Sequence, residues 1–98
     1  MALEPRIINN KKQMHFEIHE GDSIASLEYR FQDNTLVLMH TYVPENMGGK
    51  GYASALAQYG FRYAKENGHP VKVYCIFVLT YLKRHPELAE QLEKESLS

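Results

Sequence analysis

Gly48, Gly49 and Gly51, with Lys50 among them and Tyr52, Ala53 and Ser54 following, are the residues of this 98-residue sequence whose types and spacing point most directly to ligand chemistry. Glycine reaches left-handed backbone conformations and lets the main chain come close to a ligand. The amides of a first helical turn lack partners within the helix, and the helix dipole adds partial positive charge there. A glycine-rich turn that opens a helix therefore predicts a seat for a phosphate or pyrophosphate, with Lys50 strengthening the field. The competing reading is a plain connection, because glycine-rich turns also join elements that bind nothing.

The lone cysteine, Cys75, cannot make an internal disulfide and leaves a thiol to explain, as a nucleophile or as a small buried apolar side chain. His40 lies on the strand before the glycine turn, on the face of Leu36, Leu38 and Tyr42. Histidine is the side chain best suited to act as a base near neutral pH, although a histidine simply hydrogen-bonded within that face is the alternative. Glu28, two residues before Arg30, is a second possible base or a solvated strand carboxylate. Arg84 and His85 could reach a phosphate or complement a helix C-terminus. His15 and His19 share a strand face, but four residues of strand span roughly 13 Å, too far for one zinc ion, so no metal site is expected. The seven tyrosines are read as packing, since the basic groove of a nucleic-acid stacking platform is missing.

These residues need a scaffold. Hydrophobic residues make up 44% of the chain, charged residues 23%, and the formal charge is -1, which is ordinary globular usage without a basic stripe for nucleic acid or an anionic membrane. One domain is expected, burying roughly 60 to 70% of its unfolded surface. No apolar run approaches the ~20 residues that span a bilayer, and the start MALEPRIINN lacks the apolar core of a signal peptide, so the cytoplasm is expected. A single thiol fits that reducing compartment.

Alternation of apolar and polar residues predicts strands over Gln13 to His19, Ser23 to Phe31 and Thr35 to Val43, joined by turns at Glu20 to Asp22 and at Asp33 and Asn34, with a short edge strand at Ile7 and Ile8. Beyond the glycines, Ala53, Leu56, Ala57, Gly60, Phe61 and Ala64 recur at helical spacing, and Asn67, Gly68 and Pro70 stop that helix. Val71 to Cys75 reads as a strand parallel to Thr35 to Val43, through a right-handed crossover. Two short helices follow, Val78 to Arg84 and, opened by Pro86, Glu87 to Lys94, with Leu88 and Leu92 inward; the last four residues are expected to fray.

An antiparallel meander, then strand, glycine turn, helix and short parallel strand, resembles the core of the GNAT superfamily of acyl-CoA-dependent N-acetyltransferases. More narrowly, YVPENMGGKGYAS, Tyr42 to Ser54, together with CIFVLTYLKRHPE, Cys75 to Glu87, looks like the small single-domain GNAT-like proteins of about this length. The likeness runs from LEYRF in the third strand to RHPE near the end. It implies an α+β fold over residues 1–98 as one minimal domain: the meander, a parallel strand-helix-strand crossover and short C-terminal helices. It implies acetyl-CoA as co-substrate, with its pyrophosphate on the amides of Gly49 to Ala53 and its pantetheine arm between the strands ending at Val43 and at Cys75. Tyr42, Val43, Gly48, Gly49, Lys50, Gly51, Tyr52, Ala53, Ser54, Arg84 and His85 are the cofactor-binding residues on that basis.

The superfamily turn reads Gln or Arg, two residues, Gly, one residue, then Gly or Ala. Gly48 stands where Arg or Gln is usual, whereas Gly51 and Ala53 fit. The likeness also places Cys75 at the thioester, as a nucleophile or a wall of the acetyl pocket. It puts Tyr81 where a tyrosine protonates the departing thiolate, and the proposed parallel pairing sets the strand of His40 beside that of Cys75. It implies transfer of acetyl to an amine, a small molecule or a protein lysine, by a monomer or weak homodimer, with no nucleic-acid or membrane partner. A CoA-binding module without turnover is the second implication, and an interaction domain that lost the ligand is the third.

Overall fold

The structure is a computed structural model and describes residues 5–94. Its strands are β1 (Ile8–Asn10), β2 (His15–Glu20), β3 (Ser23–Gln32), β4 (Thr35–Tyr42) and β5 (Val71–Val73), its α-helices α1 (Tyr52–Glu66) and α2 (Ile76–Arg84). Short 3₁₀ segments cover Glu45–Met47 and Pro86–Gln91. The sheet order is β1-β2-β3-β4-β5, antiparallel through β4, with β5 parallel to β4 across the α1 crossover.

Several boundaries move for local reasons. β2 begins at His15 and not at Gln13, because Met14 takes a left-handed φ of 59° and turns the chain. β5 stops at Val73, so Cys75 lies beyond the strand as the N-cap of α2, which starts at Ile76, two residues earlier than its apolar spacing indicated. Pro86 does open a helix, but a 3₁₀ one that ends at Gln91, after which Leu92 bridges to Val71. The expected fraying of the last four residues concerns positions outside the described range.

Alternation delivers Phe16, Leu27, Tyr29, Leu36 and Leu38 to one face of the sheet, where α1 covers them with Leu56, Ala57, Phe61 and Ala64, all buried. Phe16 and Tyr29 stack with centroids 4.4 Å apart. α1 packs on the sheet at Gly60, where a Cβ would lie 3.4 Å from a methyl of Leu38. α2 adds Val78 to the same core, so the two helices lie side by side.

A β-bulge changes the outer half of β4. Tyr29 pairs with Leu38 but Glu28 pairs with His40, which leaves Met39 as the extra residue and reverses the alternation beyond it. Thr41, opposite buried Leu27, now takes the core side. His40 and Tyr42 turn to the exposed face, in one cross-strand row with Glu28 and His15 in the case of His40.

Candidate active site

The parallel pairing of β4 with β5 ends at Leu38 and Val73. The amides of Tyr74 and Cys75 both donate to the Leu38 carbonyl, at 2.9 and 3.2 Å, which gathers β5 onto one acceptor and parts the strands beyond it. α1 opens at this parting. Gly49 and Gly51 are left-handed, with φ of 75° and 77°, and Gly51 is the N-cap of α1 without any side-chain cap. A Cβ built on either would meet nothing within 4 Å, so the turn has open space beside both α-carbons. An anion fits such a mouth.

From this mouth a cleft of about 490 Å³ runs between the helices, lined by Lys50, Gly51, Ser54 and Gln58 from the α1 side and by Phe77, Tyr81, Arg84 and His85 from the α2 side. A second hollow of about 290 Å³, bordered by Val43, Gly48, Gly49, Tyr52 and Ala53, shares Gly51, Ser54 and Phe77 with it. The two adjoin at these three residues. Eleven of the sequence-predicted site residues therefore line these two adjoining hollows: Val43, Gly48, Gly49, Lys50, Gly51, Tyr52, Ala53, Ser54, Tyr81, Arg84 and His85. Tyr42 is 56% exposed and stands outside them.

Tyr81 lies half-buried in the cleft and stacks on His85 with centroids 4.2 Å apart. Burial first, and the nearby Glu87 carboxylate second, push its phenol above the usual tyrosine value, so it stays protonated and able to donate. Cys75 is 5% exposed and borders neither hollow; its Sγ lies 3.1 Å from the Thr41 hydroxyl, within the core. His40, expected beside Leu36, Leu38 and Tyr42, keeps only Tyr42 on its face because of the bulge, and the fold does not bring it to Cys75. It stands opposite Glu28, which pairs with Arg30.

Lys50 does not stand free. It donates to Glu20 at 2.6 Å, and the Tyr52 hydroxyl donates to the same carboxylate. Lys50 and then Tyr52 hold the Glu20 carboxyl below the usual range, while Glu20 raises both the Lys50 and Tyr52 values. His15 and His19 are joined through Glu17, 3.6 Å from His15 Nδ1 and 2.9 Å from His19 Nε2. Among the described residues no three His, Cys, Asp or Glu side chains cluster as a metal site, and no helix is long and apolar enough to cross a membrane.

Sequence reasoning passed over Phe77, Gln58, Thr41 and Glu20. Phe77 repeats at i+4 and i+7 in Tyr81 and Arg84, a helical face that could have been found. Gln58 follows Ser54 in the same way. Thr41 depends on the bulge, and Glu20 on a contact made 30 residues along the chain, for which no local signal exists.

An antiparallel meander that enters one parallel β4-α1-β5 crossover, with a glycine mouth where the two strands part, defines an acyltransferase of the GNAT type. Residues 15–92 match the GCN5-related N-acetyl-transferase family, and the chain belongs to that family. Its fold is similar to the solution structure of a GCN5-like candidate N-acetyltransferase from Staphylococcus aureus, with a TM-score of 0.71 at 21% identity over 98% of this chain and 95% of that one.

Proposed function

We propose that this chain transfers an acetyl group from acetyl-CoA to an amine, a small molecule or a protein lysine. The observation that carries this is the uncapped, left-handed glycine mouth of α1 opening into the cleft between α1 and α2. The amides from Gly49 to Ala53 hold the pyrophosphate, aided by the helix dipole, while Arg84 offers a cationic group and His85 a ring nitrogen further along the cleft. The unpaired edge of β4 beyond Leu38, with Tyr42 and Val43 at its end, receives the pantetheine arm. Acetyl-CoA supplies an activated thioester there.

The remaining work falls to side chains. Tyr81, protonated at neutral pH, gives its proton to the departing thiolate. His40, with Glu28 opposite, accepts the amine proton from the exposed face of the sheet. Burial of Cys75 away from both hollows favours direct attack of the amine over an acetyl-cysteine intermediate. Gly48, in place of a side chain that closes the turn, is what favours the second reading, a CoA-binding module without turnover.

Incubation with acetyl-CoA and a panel of amines, read by release of free thiol and by intact mass, tests both. Amine-dependent thiol release without a stable acetyl adduct on Cys75 is the expected result. Binding of CoA with no release by any amine would favour the module, and a protein that binds no CoA would contradict both.

A further inference from the structure

Glu20 is the last residue of β2, at the tip of the β2–β3 hairpin, and its carboxylate is held by the two residues that flank the N-cap of α1. Lys50 Nζ donates at 2.6 Å, the Tyr52 hydroxyl donates alongside it, and Lys50 also stands 5.9 Å over the Tyr52 ring. A separate bond, Asn46 Nδ2 to Ser23 Oγ at 2.8 Å, ties the same hairpin tip to the other side of the glycine turn. A full negative charge is thus parked beside the anion mouth, yet it engages side chains only, and no side chain caps Gly51.

We propose that Glu20 is a positioning residue that occupies Lys50 in the free protein and yields it to the phosphate of the incoming ligand. This rests on the coenzyme site proposed above. A phosphate seated on the first-turn amides would lie beside Lys50, the cation nearest those amides in sequence, and a carboxylate on the same ammonium would repel it. Exposed ion pairs of this kind are weakly held, so the exchange is readily made. The lowered Glu20 and raised Lys50 values show that each favours the charged form of the other before a ligand arrives. The Asn46–Ser23 bond keeps the hairpin attached while Lys50 changes partner.

A purely structural Glu20 and an exchanging one predict opposite signs. Calorimetry with CoA on Glu20→Gln should show binding about two- to fivefold tighter than wild type, the span a surface ion pair covers, although the variant melts no higher. Lys50→Gln should bind more weakly than wild type. A Glu20→Gln protein that binds CoA no better than wild type overturns the exchange and leaves the coenzyme site standing. Absence of CoA binding in wild type and Glu20→Gln alike overturns the coenzyme site, and the exchange with it. Carboxyl NMR on the wild-type protein decides independently of any variant: the Glu20 titration should move upward when CoA saturates the protein, and an unmoved titration would overturn the proposal.

Discussion

Tyr81 and Cys75 occupy opposite environments two turns apart, and their chemistry follows from that difference. Tyr81 faces the cleft with its phenol pushed above the ordinary value of 10.0 by burial and by Glu87. Tyr81→Phe should lower kcat by about a hundredfold, the lower range for loss of a positioned acid, with the KM for acetyl-CoA little changed. Because the phenol donates only while protonated and its value is raised, wild-type kcat should persist through the range where a free tyrosine ionises and fall above it. That alkaline limb should be missing from the Tyr81→Phe profile. Cys75 instead packs with Thr41 inside the core, and serine in its place can keep the hydroxyl contact. Turnover of Cys75→Ser within about twofold of wild type is expected, whereas a loss of the order general catalysis supplies, ~100-fold or more, would return the thiol to the mechanism.

The phosphate turn and the bulged β4 show at the scale of elements where backbone conformation decides. Gly51 has a φ of 77° with open space around its missing Cβ, so Gly51→Ala costs conformational energy, ~1 kcal/mol, without a clash. The chain can relieve it only by turning the first-turn amides away, and CoA affinity measured by calorimetry should fall. Gly48 differs: with φ of -69° and ψ of 158° its backbone suits any residue, and its Cβ would sit 3.3 Å from the Glu45 carbonyl, which a shift of that carbonyl by a few tenths of an ångström would relieve. Gly48→Arg should therefore fold normally and bind CoA more tightly, by returning a cation to the turn. The meander, the crossover and the glycine mouth were legible because alternation, turn residues and helical spacing act over a few neighbouring positions. The bulge was not, since Leu36, Leu38, His40 and Tyr42 continue the alternation unbroken while the ladder slips at Met39. The Glu20 link escaped for a related reason: it joins a hairpin tip to a helix mouth that only the folded chain brings together.

The described residues form one layer of helices against one face of a five-stranded sheet, and the stability of the fold rests on that contact. Gly60 sits mid-helix at the contact, where an alanine methyl would reach Leu38 at ordinary van der Waals distance, 3.4 Å. Gly60→Ala should gain helix propensity of up to ~1 kcal/mol and raise the melting temperature by roughly 4–8 °C. Tyr29, buried and donating to Asn9 at 2.7 Å, has its value raised first by that burial. Its raised folded value means that stability is complete below the unfolded value of 10.0 and is lost as pH climbs through the folded one. Melting followed by circular dichroism should stay level from neutrality to the unfolded value of 10.0 and decline from there toward the folded one, less steeply in Tyr29→Phe. A titration of the isotope-labelled chain with CoA, followed amide by amide, tests the central claim most directly. The largest shifts should fall on Gly49 to Ser54 and on the cleft face of α2 from Phe77 to His85. Shifts confined to other surfaces, or none at saturating CoA, would contradict the coenzyme seat on the mouth of α1.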